Sequence, residues 1–249
     1  MDILAGFART TGEPPAASGI LLYLLLLTGL ALLFAFWPGL DMAATQFARS
    51  VAGDAFAQRD GTWWPLYAWM KPAFFLLGGL VGLLGLASWI LRRPLLGITP
   101  RRAFFVVVSM ALIQGLVIDV YLKDSFGRAR PREMQAFGGA FVFTPFYMVS
   151  DACRSNCSFV SGHVGMAFSV VAFSFLPAAR RRRLLILGLA LLFGLITGWM
   201  RVIQGAHFLS DVLFSGMVVF GLSWLLALIC LRPWPARLER LLPDRHPLV

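Results

Sequence analysis

The chain consists of long apolar runs separated by short charged connections, without the period-2 alternation of a half-buried strand. Six runs can be distinguished, near residues 19–37, 72–91, 103–122, 163–179, 184–200 and 208–231. A helix needs about 20 apolar residues to cross a hydrocarbon core about 30 Å thick. The shorter runs reach this length only by including polar neighbours such as Asp119 and His163. The pattern predicts an all-α integral membrane protein with six transmembrane helices. No internal repeat or linker divides it, so we expect a single domain over residues 1–249.

The composition favours a membrane protein over a soluble one. Of the 249 residues, 59% are hydrophobic and 14% are charged, whereas soluble domains carry about 25% charged residues. The net charge is +10, with 22 basic side chains against 12 acidic ones. Basic residues beside membrane spans act as topology signals, and no nucleic-acid recognition motif accompanies them. We therefore expect membrane lipids, and no nucleic acid, as partners. The sequence leaves the oligomeric state open.

The arginines predict the orientation of the spans. They cluster in the second connection, the fourth connection and the C-terminal tail, as Arg92, Arg93, Arg101 and Arg102, then residues 180–183, then Arg232, Arg237, Arg240 and Arg245. By the positive-inside rule these segments face the cytoplasm, which places both termini there. The third connection must then lie outside, although it holds Lys123, Arg128, Arg130, Arg132 and Arg154. Cations on the disfavoured side need another role, and phosphate binding supplies one.

Two polar segments on the predicted outer face contain histidine. Ser161-Gly162-His163 begins the fourth span, where a helix N-terminus can bind an anion, although an ordinary capped helix start has the same residues. His207 and Asp211 are four residues apart at the start of the sixth span and share one helical face. The carboxylate can accept from one ring nitrogen and leave the other free to attack. A surface His–Asp pair is the alternative, but a carboxylate beside a long apolar run is costly unless it is paired.

Fixed positive charge on the same face would come from Lys123, Arg130 and Arg201. The planar fork of arginine suits phosphate oxygens, and lysine adds a point charge. Asp119 precedes Lys123 by four residues and would orient it from the same helical face. A carboxylate that only lies at the membrane surface is the alternative. Because the arginine counts place all these segments on one side, we predict an active site there.

These segments resemble the motifs of the type 2 phosphatidic acid phosphatase (PAP2) superfamily, which also includes vanadium haloperoxidases and glucose-6-phosphatase. The family pattern Lys-x6-Arg-Pro is complete from Lys123 to Arg130-Pro131. In the pattern Pro-Ser-Gly-His, Val160 replaces the proline, and in Ser-Arg-x5-His-x3-Asp, Met200 replaces the serine. Both departures spare every charged and nucleophilic position.

The resemblance implies a metal-free, two-step displacement that needs no cofactor. His207, assisted by Asp211, would attack phosphorus and form a phosphohistidine, and His163 would protonate the leaving oxygen and then activate water. The phosphate oxygens would be held by three cations and two backbone amides, from Lys123, Arg130, Arg201, Ser161 and Gly162. The expected substrate is a phosphorylated lipid at the periplasmic face of a bacterial inner membrane.

The stretch between residues 137 and 163 narrows the resemblance to bacterial enzymes that dephosphorylate lipid A. Phosphatases for phosphatidylglycerol phosphate or undecaprenyl pyrophosphate are alternatives, as is a phosphotransferase that passes the phosphoryl group to another lipid. A small transporter belongs to a different class, because intramembrane ionisable residues also mark ion paths. A transporter would need polar residues distributed along several spans, whereas here they cluster at one end.

Cys153 and Cys157 lie in the third connection, which would face an oxidising compartment. Cα atoms four residues apart in a helical turn are about 6 Å from each other, within reach of a disulfide. A bridge here would fix the segment just before Ser161 and orient His163. Two free thiols near a membrane surface are the alternative.

Overall fold

The computed structural model describes residues 17–53, 55–57, 64–176 and 179–232, whose regular elements are helices and include no β-strand. The helices are α1 (Ala17–Phe36), α2 (Gly39–Val51), α3 (Trp64–Ile90), α4 (Pro100–Met110), α5 (Gly162–Phe168), α6 (Arg180–Ile203) and α7 (Leu209–Cys230). A π-helix over Ala111–Leu122 and a helical turn, Lys123–Ser125, extend α4, and a 3-10 helix over Ser169–Phe175 extends α5. Both termini and the tail arginines Arg237, Arg240 and Arg245 lie outside the described residues.

Five helices of the described chain are long and apolar enough to cross a membrane, judged by length and composition. They cover Ser18–Phe36, Tyr67–Ile90, Pro100–Ser125, Arg180–Ile203 and Leu209–Cys230. Each corresponds to one of the six predicted apolar runs. The protein is therefore a multi-pass membrane protein.

The remaining run, predicted as a span over 163–179, forms a shorter helix in two parts. Gly162–Phe168 is α-helical and Ser169–Phe175 is a 3-10 helix, so seven residues at 1.5 Å and seven at 2.0 Å span about 25 Å. Most of its side chains are buried against neighbouring helices, in contrast to the largely exposed α1. This run is apolar because it forms the centre of the bundle.

The first connection contains the amphipathic helix α2, which packs on α6 and α7. Its buried face carries Asp41, Thr45 and Ala48. Burial of a carboxylate is costly unless charged partners surround it. The position of Asp41 therefore indicates a partner inside the bundle.

Close helix contacts bring α5, α6 and α7 together at the centre of the bundle. Gly194 and Gly198 on α6 leave space for the side chains of Phe168 and Val212, which a Cβ atom would meet. Small residues permit such close approach between membrane helices. The contacts bring the C-terminal end of α6 close to the N-terminal ends of α5 and α7.

Candidate active site

The site lies where the third connection folds over the ends of α5, α6 and α7. Lys123 begins the helical turn that follows the π-helical extension of α4, and His163 lies in the first turn of α5. Arg201 lies in the last turn of α6 and Asp211 in the first turn of α7. His207 occupies the turn between these two helices. All of the predicted catalytic and phosphate-binding side chains thus come from elements that end on one side of the bundle.

Two glycines with positive φ shape the backbone around the site. Gly127 has φ +59° and lies against the Ser150 carbonyl, where a Cβ atom would clash. Gly205 has φ +57° and follows the end of α6, so the chain can turn toward His207. Residues with a Cβ rarely adopt this conformation. Both glycines lie next to the functional segments in sequence.

His207 is buried and has a defined ring orientation. Its Nδ1 lies 2.7 Å from the Ser158 carbonyl oxygen. A carbonyl can only accept, so Nδ1 carries the proton and Nε2 keeps its lone pair. The carboxylate of Asp211, expected to accept from this ring, lies 3.7 Å from Nδ1, beyond hydrogen-bond distance. A backbone carbonyl fixes the tautomer in its place.

The charge state of His207 follows from the same surroundings. Burial lowers its pKa from 6.5 to about 4, and the positive charge of Arg201 contributes to the decrease. The negative charge of Asp211 opposes this decrease in the pKa of His207. The imidazole is therefore neutral near pH 7, which is the nucleophilic form.

Asp211 is fully buried and joins several parts of the site. Its Oδ1 accepts from Nη1 of Arg128 at 2.6 Å. Its Oδ2 accepts from the Ser158 hydroxyl at 2.5 Å and from the Phe208 backbone amide at 2.8 Å. Asp211 thus acts on His207 by holding Ser158, whose carbonyl contacts the ring.

Lys123 is held by polar contacts on both sides. Its Nζ lies 2.9 Å from Oδ1 of Asp119 and donates to Oδ1 of Asn156 at 3.2 Å. Asp119 also accepts from the Gln114 side chain at 3.0 Å. A Cβ atom on Gly162 would lie 2.7 Å from Nζ, so the lysine approaches the N-terminus of α5 closely.

The two predicted phosphate-binding arginines are also anchored. Nη2 of Arg130 donates to the Asn156 carbonyl at 2.6 Å, and Nη1 of Arg201 donates to Oε1 of Gln204 at 2.6 Å. The Arg201 guanidinium lies 5.3 Å from the Tyr67 ring centre. Because the rotamers of both arginines are already fixed, they need little reorganisation to bind an anion.

His163 stacks on Tyr67, with the ring centres 5.0 Å apart and the planes 16° apart. It lies within electrostatic reach of His207, Arg201, Lys123 and Lys71. The hydroxyl of Ser161, next to it, is buried and makes no hydrogen bond within the described part of the chain. The Ser161 carbonyl accepts from Ser215 at 2.9 Å, which fixes the start of α5.

A disulfide joins Cys153 to Cys157, with the Cα atoms 5.6 Å apart. The Cys157 amide donates to the Lys123 carbonyl at 3.3 Å, and the next amide, of Ser158, donates to the Arg128 carbonyl at 2.9 Å. The segment that carries Ser158 is therefore tied both to the bridge and to the Lys123–Arg130 motif.

Several functional residues give little signal in the sequence. Arg128 appears there only as one cation of the third connection, and Asp41, Ser158 and Ser210 attract no attention. In the structure, Asp41 and Arg128 are each 1% exposed and lie 2.7 Å apart. Burial raises the pKa of Asp41, and the charge of Arg128 opposes this rise. The spacing of Asp41, Thr45 and Ala48 on one face of α2 is visible in the sequence, but the burial of Asp41 is evident only from its contact with Arg128.

Within the described residues, no group of three or more His, Cys, Asp or Glu side chains could hold a metal ion. The converging groups are instead two imidazoles, three anchored cations and the N-terminus of α5. This donor set suits an anion with several oxygens.

Five apolar helices, with two histidines and three cations at one side of the bundle, define a membrane protein with a candidate anion site. The PAP2 superfamily model matches residues 102–236, and the chain belongs to this family.

Curated relatives agree with this assignment. The lipid A 4'-phosphatase of Francisella tularensis subsp. novicida is 35% identical over 195 residues, covering 77% of this chain and 86% of the relative. The enzymes of the same name from Rhizobium etli and Rhizobium leguminosarum are 35% and 32% identical, covering 75% of this chain and 74% and 81% of the relatives. No solved structure matches. The family and these relatives identify the chain as a membrane lipid phosphatase.

Proposed function

We propose that this protein hydrolyses a phosphate monoester on a lipid head group, with lipid A as the substrate, and without a metal ion. The observation that carries the proposal is the orientation of His207. Its Nδ1 proton is committed to the Ser158 carbonyl, which leaves the Nε2 lone pair for phosphorus. The names of the relatives support lipid A as the substrate.

In the first step, Nε2 of His207 forms a bond to phosphorus while the bond from phosphorus to the lipid oxygen breaks. His163, which takes up a proton when the anionic phosphate binds, gives this proton to that oxygen, so the lipid leaves as an alcohol. In the second step, neutral His163 takes a proton from water, and the resulting hydroxide attacks phosphorus. The P–N bond breaks, inorganic phosphate leaves, and His207 regains its lone pair.

The anchored cations stabilise charge during both steps. Lys123, Arg130 and Arg201 would contact the phosphoryl oxygens, together with the backbone amide of Gly162. The Ser161 amide, expected from the sequence to bind phosphate as well, already donates to the Asp211 carbonyl at 3.3 Å. Donors that are already in place stabilise the transition state without reorganisation. Each cation has a polar anchor that is not the substrate.

We further propose that the active site faces the periplasm, with both termini in the cytoplasm and α5 with its 3-10 extension as the sixth span. The orientation is supported by the positions of the arginines. Arg180 begins the 24-residue helix that ends beside Arg201, so residues 180–183 lie roughly 30–35 Å from the site end. Arg101 likewise begins the helix whose extension leads to Lys123. The positive-inside rule places these arginines in the cytoplasm.

The test is phosphate release by purified protein in detergent, assayed on lipid A, phosphatidylglycerol phosphate, phosphatidate and undecaprenyl pyrophosphate. We expect the highest kcat/KM on lipid A, unchanged activity in EDTA and inhibition by vanadate, which mimics the trigonal-bipyramidal phosphoryl centre. In His207→Ala we expect less than about a tenth of wild-type activity, because the nucleophile is gone.

Each alternative predicts a different result in this assay. Preference for another lipid would replace the proposed substrate, and phosphoryl transfer to an added acceptor lipid would indicate a phosphotransferase. Loss of activity in EDTA that Mg²⁺ restores would refute the metal-free mechanism. If the protein released no phosphate from any of these substrates, the result would favour the transporter hypothesis.

A further inference from the structure

A cluster of three buried charged side chains, Asp41, Arg128 and Asp211, lies close to His207 and links the first connection to α7. Nη2 of Arg128 lies 2.7 Å from Oδ2 of Asp41, and its Nη1 lies 2.6 Å from Oδ1 of Asp211. All three side chains are at most 1% exposed. A single guanidinium therefore bridges two carboxylates that are distant in sequence.

Ser210 completes the cluster on the side of Asp41. Its backbone amide donates to Oδ1 of Asp41 at 2.8 Å, and its hydroxyl donates to Oδ2 at 2.6 Å. The same hydroxyl accepts from Nη1 of Arg128 at 2.9 Å. Buried ion pairs need such additional hydrogen bonds to offset the cost of desolvation. With these bonds in place, the cluster has a single well-defined geometry.

The contacts made by Arg128 require the planar guanidinium group of an arginine. Its Nε donates to the Thr144 carbonyl at 2.8 Å, while its two Nη atoms contact different carboxylates. The guanidinium also lies 4.1 Å from the centre of the Phe208 ring. A lysine ammonium is a point charge and cannot reproduce a planar fork that is also stacked on an aromatic ring.

The cluster reaches His207 through one further residue. Asp211, held by Arg128 through Oδ1, accepts from the Ser158 hydroxyl through Oδ2 at 2.5 Å. The Ser158 carbonyl then fixes Nδ1 of His207 at 2.7 Å. The position of the carbonyl that selects the tautomer therefore depends on a chain of contacts that begins at Asp41.

We propose that Asp41 and Arg128 are positioning residues for the phosphoryl-transfer reaction, and that they hold His207 in its nucleophilic tautomer through Asp211 and Ser158. This inference rests on the proposed function. Neither residue contacts the substrate, so their replacement acts on the rate of the chemical step. Phosphate affinity depends on Lys123, Arg130 and Arg201, which make other contacts.

The Asp41→Asn variant tests the role of the first connection without leaving an isolated buried charge. Two carboxylates and one guanidinium form the cluster, so removal of one negative charge leaves Arg128 paired with Asp211. We therefore expect the variant to fold. Arg128→Lys keeps the positive charge but removes the planar guanidinium group. The matched control is Asp151→Asn, at an exposed position of the third connection.

Two measurements are made on each variant in detergent. The first is steady-state kinetics on the best lipid substrate, with the melting temperature measured in parallel. The second is 15N NMR of protein labelled at histidine, which separates a ring nitrogen that carries a proton from one that carries a lone pair. His207 is assigned by comparison with His207→Gln. The NMR measurement does not depend on activity, so it tests the positioning role even if the proposed substrate is wrong.

We expect Asp41→Asn and Arg128→Lys each to lower kcat between about 10-fold and 100-fold, as misplacement of a reacting group does. KM should change by less than about threefold, because the phosphate contacts remain. The His207 spectrum should show a second population with the proton on Nε2, and the double variant should lose less kcat than the product of the single losses. Asp151→Asn should match wild type in every measurement.

The inference is overturned if both variants fold with wild-type kcat and an unchanged His207 tautomer. It is also overturned if kcat falls only in proportion to the amount of folded protein, since the cluster would then have a purely structural role. If Asp41→Asn does not fold, the Arg128–Asp211 pair is not sufficient to stabilise the buried cluster. The His207 tautomer measured by NMR in Arg128→Lys then decides whether the inference holds.

Discussion

At the residue scale, the site is defined by which atoms are already committed to a partner. Nδ1 of His207 is bonded to the Ser158 carbonyl, and the two Asp211 oxygens are bonded to Arg128, Ser158 and Phe208. Besides the three anchored cations, the groups that remain for a substrate are Nε2 of His207 and the Ser161 hydroxyl, which has no hydrogen-bond partner within the described residues. The division between fixed and available atoms leads to two predictions about the histidines.

The roles of the two histidines can be separated with a substrate whose leaving group needs no proton. In His163→Ala, we expect p-nitrophenyl phosphate to phosphorylate His207, because p-nitrophenolate leaves unprotonated. Hydrolysis of the phosphohistidine should then be slow, because no base activates water. Quenching in alkaline denaturant, followed by mass spectrometry under alkaline conditions, where phosphohistidine survives, should show phosphate on His207.

The matched control is the double variant His163→Ala/His207→Ala, in which no phosphorylated peptide should appear. Rapid turnover of p-nitrophenyl phosphate by His163→Ala, without accumulation of a phosphoenzyme, would show that His163 is not the base of the second step.

The lowered pKa of His207 has a consequence for stability. Its pKa of about 4 in the folded protein lies below the ordinary value of 6.5, so the unfolded chain binds the proton first as the pH falls. The contribution of this neutral buried histidine is present above pH 6.5 and is lost as the pH falls through about 4. The melting temperature of wild type should decrease over this interval relative to His207→Gln. Parallel melting curves for the two proteins would contradict the lowered pKa.

At the scale of elements, the apolar runs predicted five helices well, because lipid exposure requires a continuous apolar surface. The predicted span at 163–179 has the same composition for a different reason: its helix is short and enclosed by its neighbours. Hydropathy cannot separate these two causes. The helix α2 was not predicted, because its polar face resembles an ordinary connection and its buried Asp41 is recognised only beside Arg128.

The bridge between Cys153 and Cys157 belongs to this scale, because it stiffens the segment before α5. Mass spectrometry of protein from the periplasmic-facing membrane, denatured and alkylated without reductant, should find both sulfurs unmodified. In Cys153→Ser/Cys157→Ser, we expect a melting temperature close to wild type, since a short loop contributes little closure entropy. The variant should lose kcat by roughly threefold to tenfold through looser placement of Ser158 and His163. Complete alkylation of both thiols in the wild-type protein would contradict the bridge.

At the scale of the whole molecule, the residues of the candidate site were named from the sequence, because their spacing in three motifs is characteristic. Their catalytic and phosphate-binding roles stay predictions. The contacts that support these residues could not be predicted, because Asp41 in α2 and Arg128 in the third connection meet only in the folded chain, beside Ser210 at the start of α7. The tautomer of His207 is a similar case, since a backbone carbonyl that selects it leaves no trace in residue identities.

The proposed orientation can be tested in intact cells with a thiol reagent that does not cross the inner membrane. Single cysteines are introduced at two exposed positions, Val142→Cys in the third connection and Arg182→Cys at the start of α6, in a Cys230→Ala background. Once the reagent has entered the periplasm, Val142→Cys should react and Arg182→Cys should react only after the membrane is permeabilised. Labelling of Arg182→Cys in intact cells would reverse the orientation.

The contact between Asp41 and Ser210 also determines when the enzyme becomes competent during its synthesis. The two residues are 169 positions apart, so the ribosome adds the second long after the first. At about 5–20 residues per second, this interval is on the order of 10–30 s. During that time α1 and α2 are already made, while Arg128 and Asp41 still lack α7. If Asp41 positions His207 as proposed, the nucleophile of a nascent chain is not held in place until α7 is inserted, and we expect a chain truncated before α7 to be inactive.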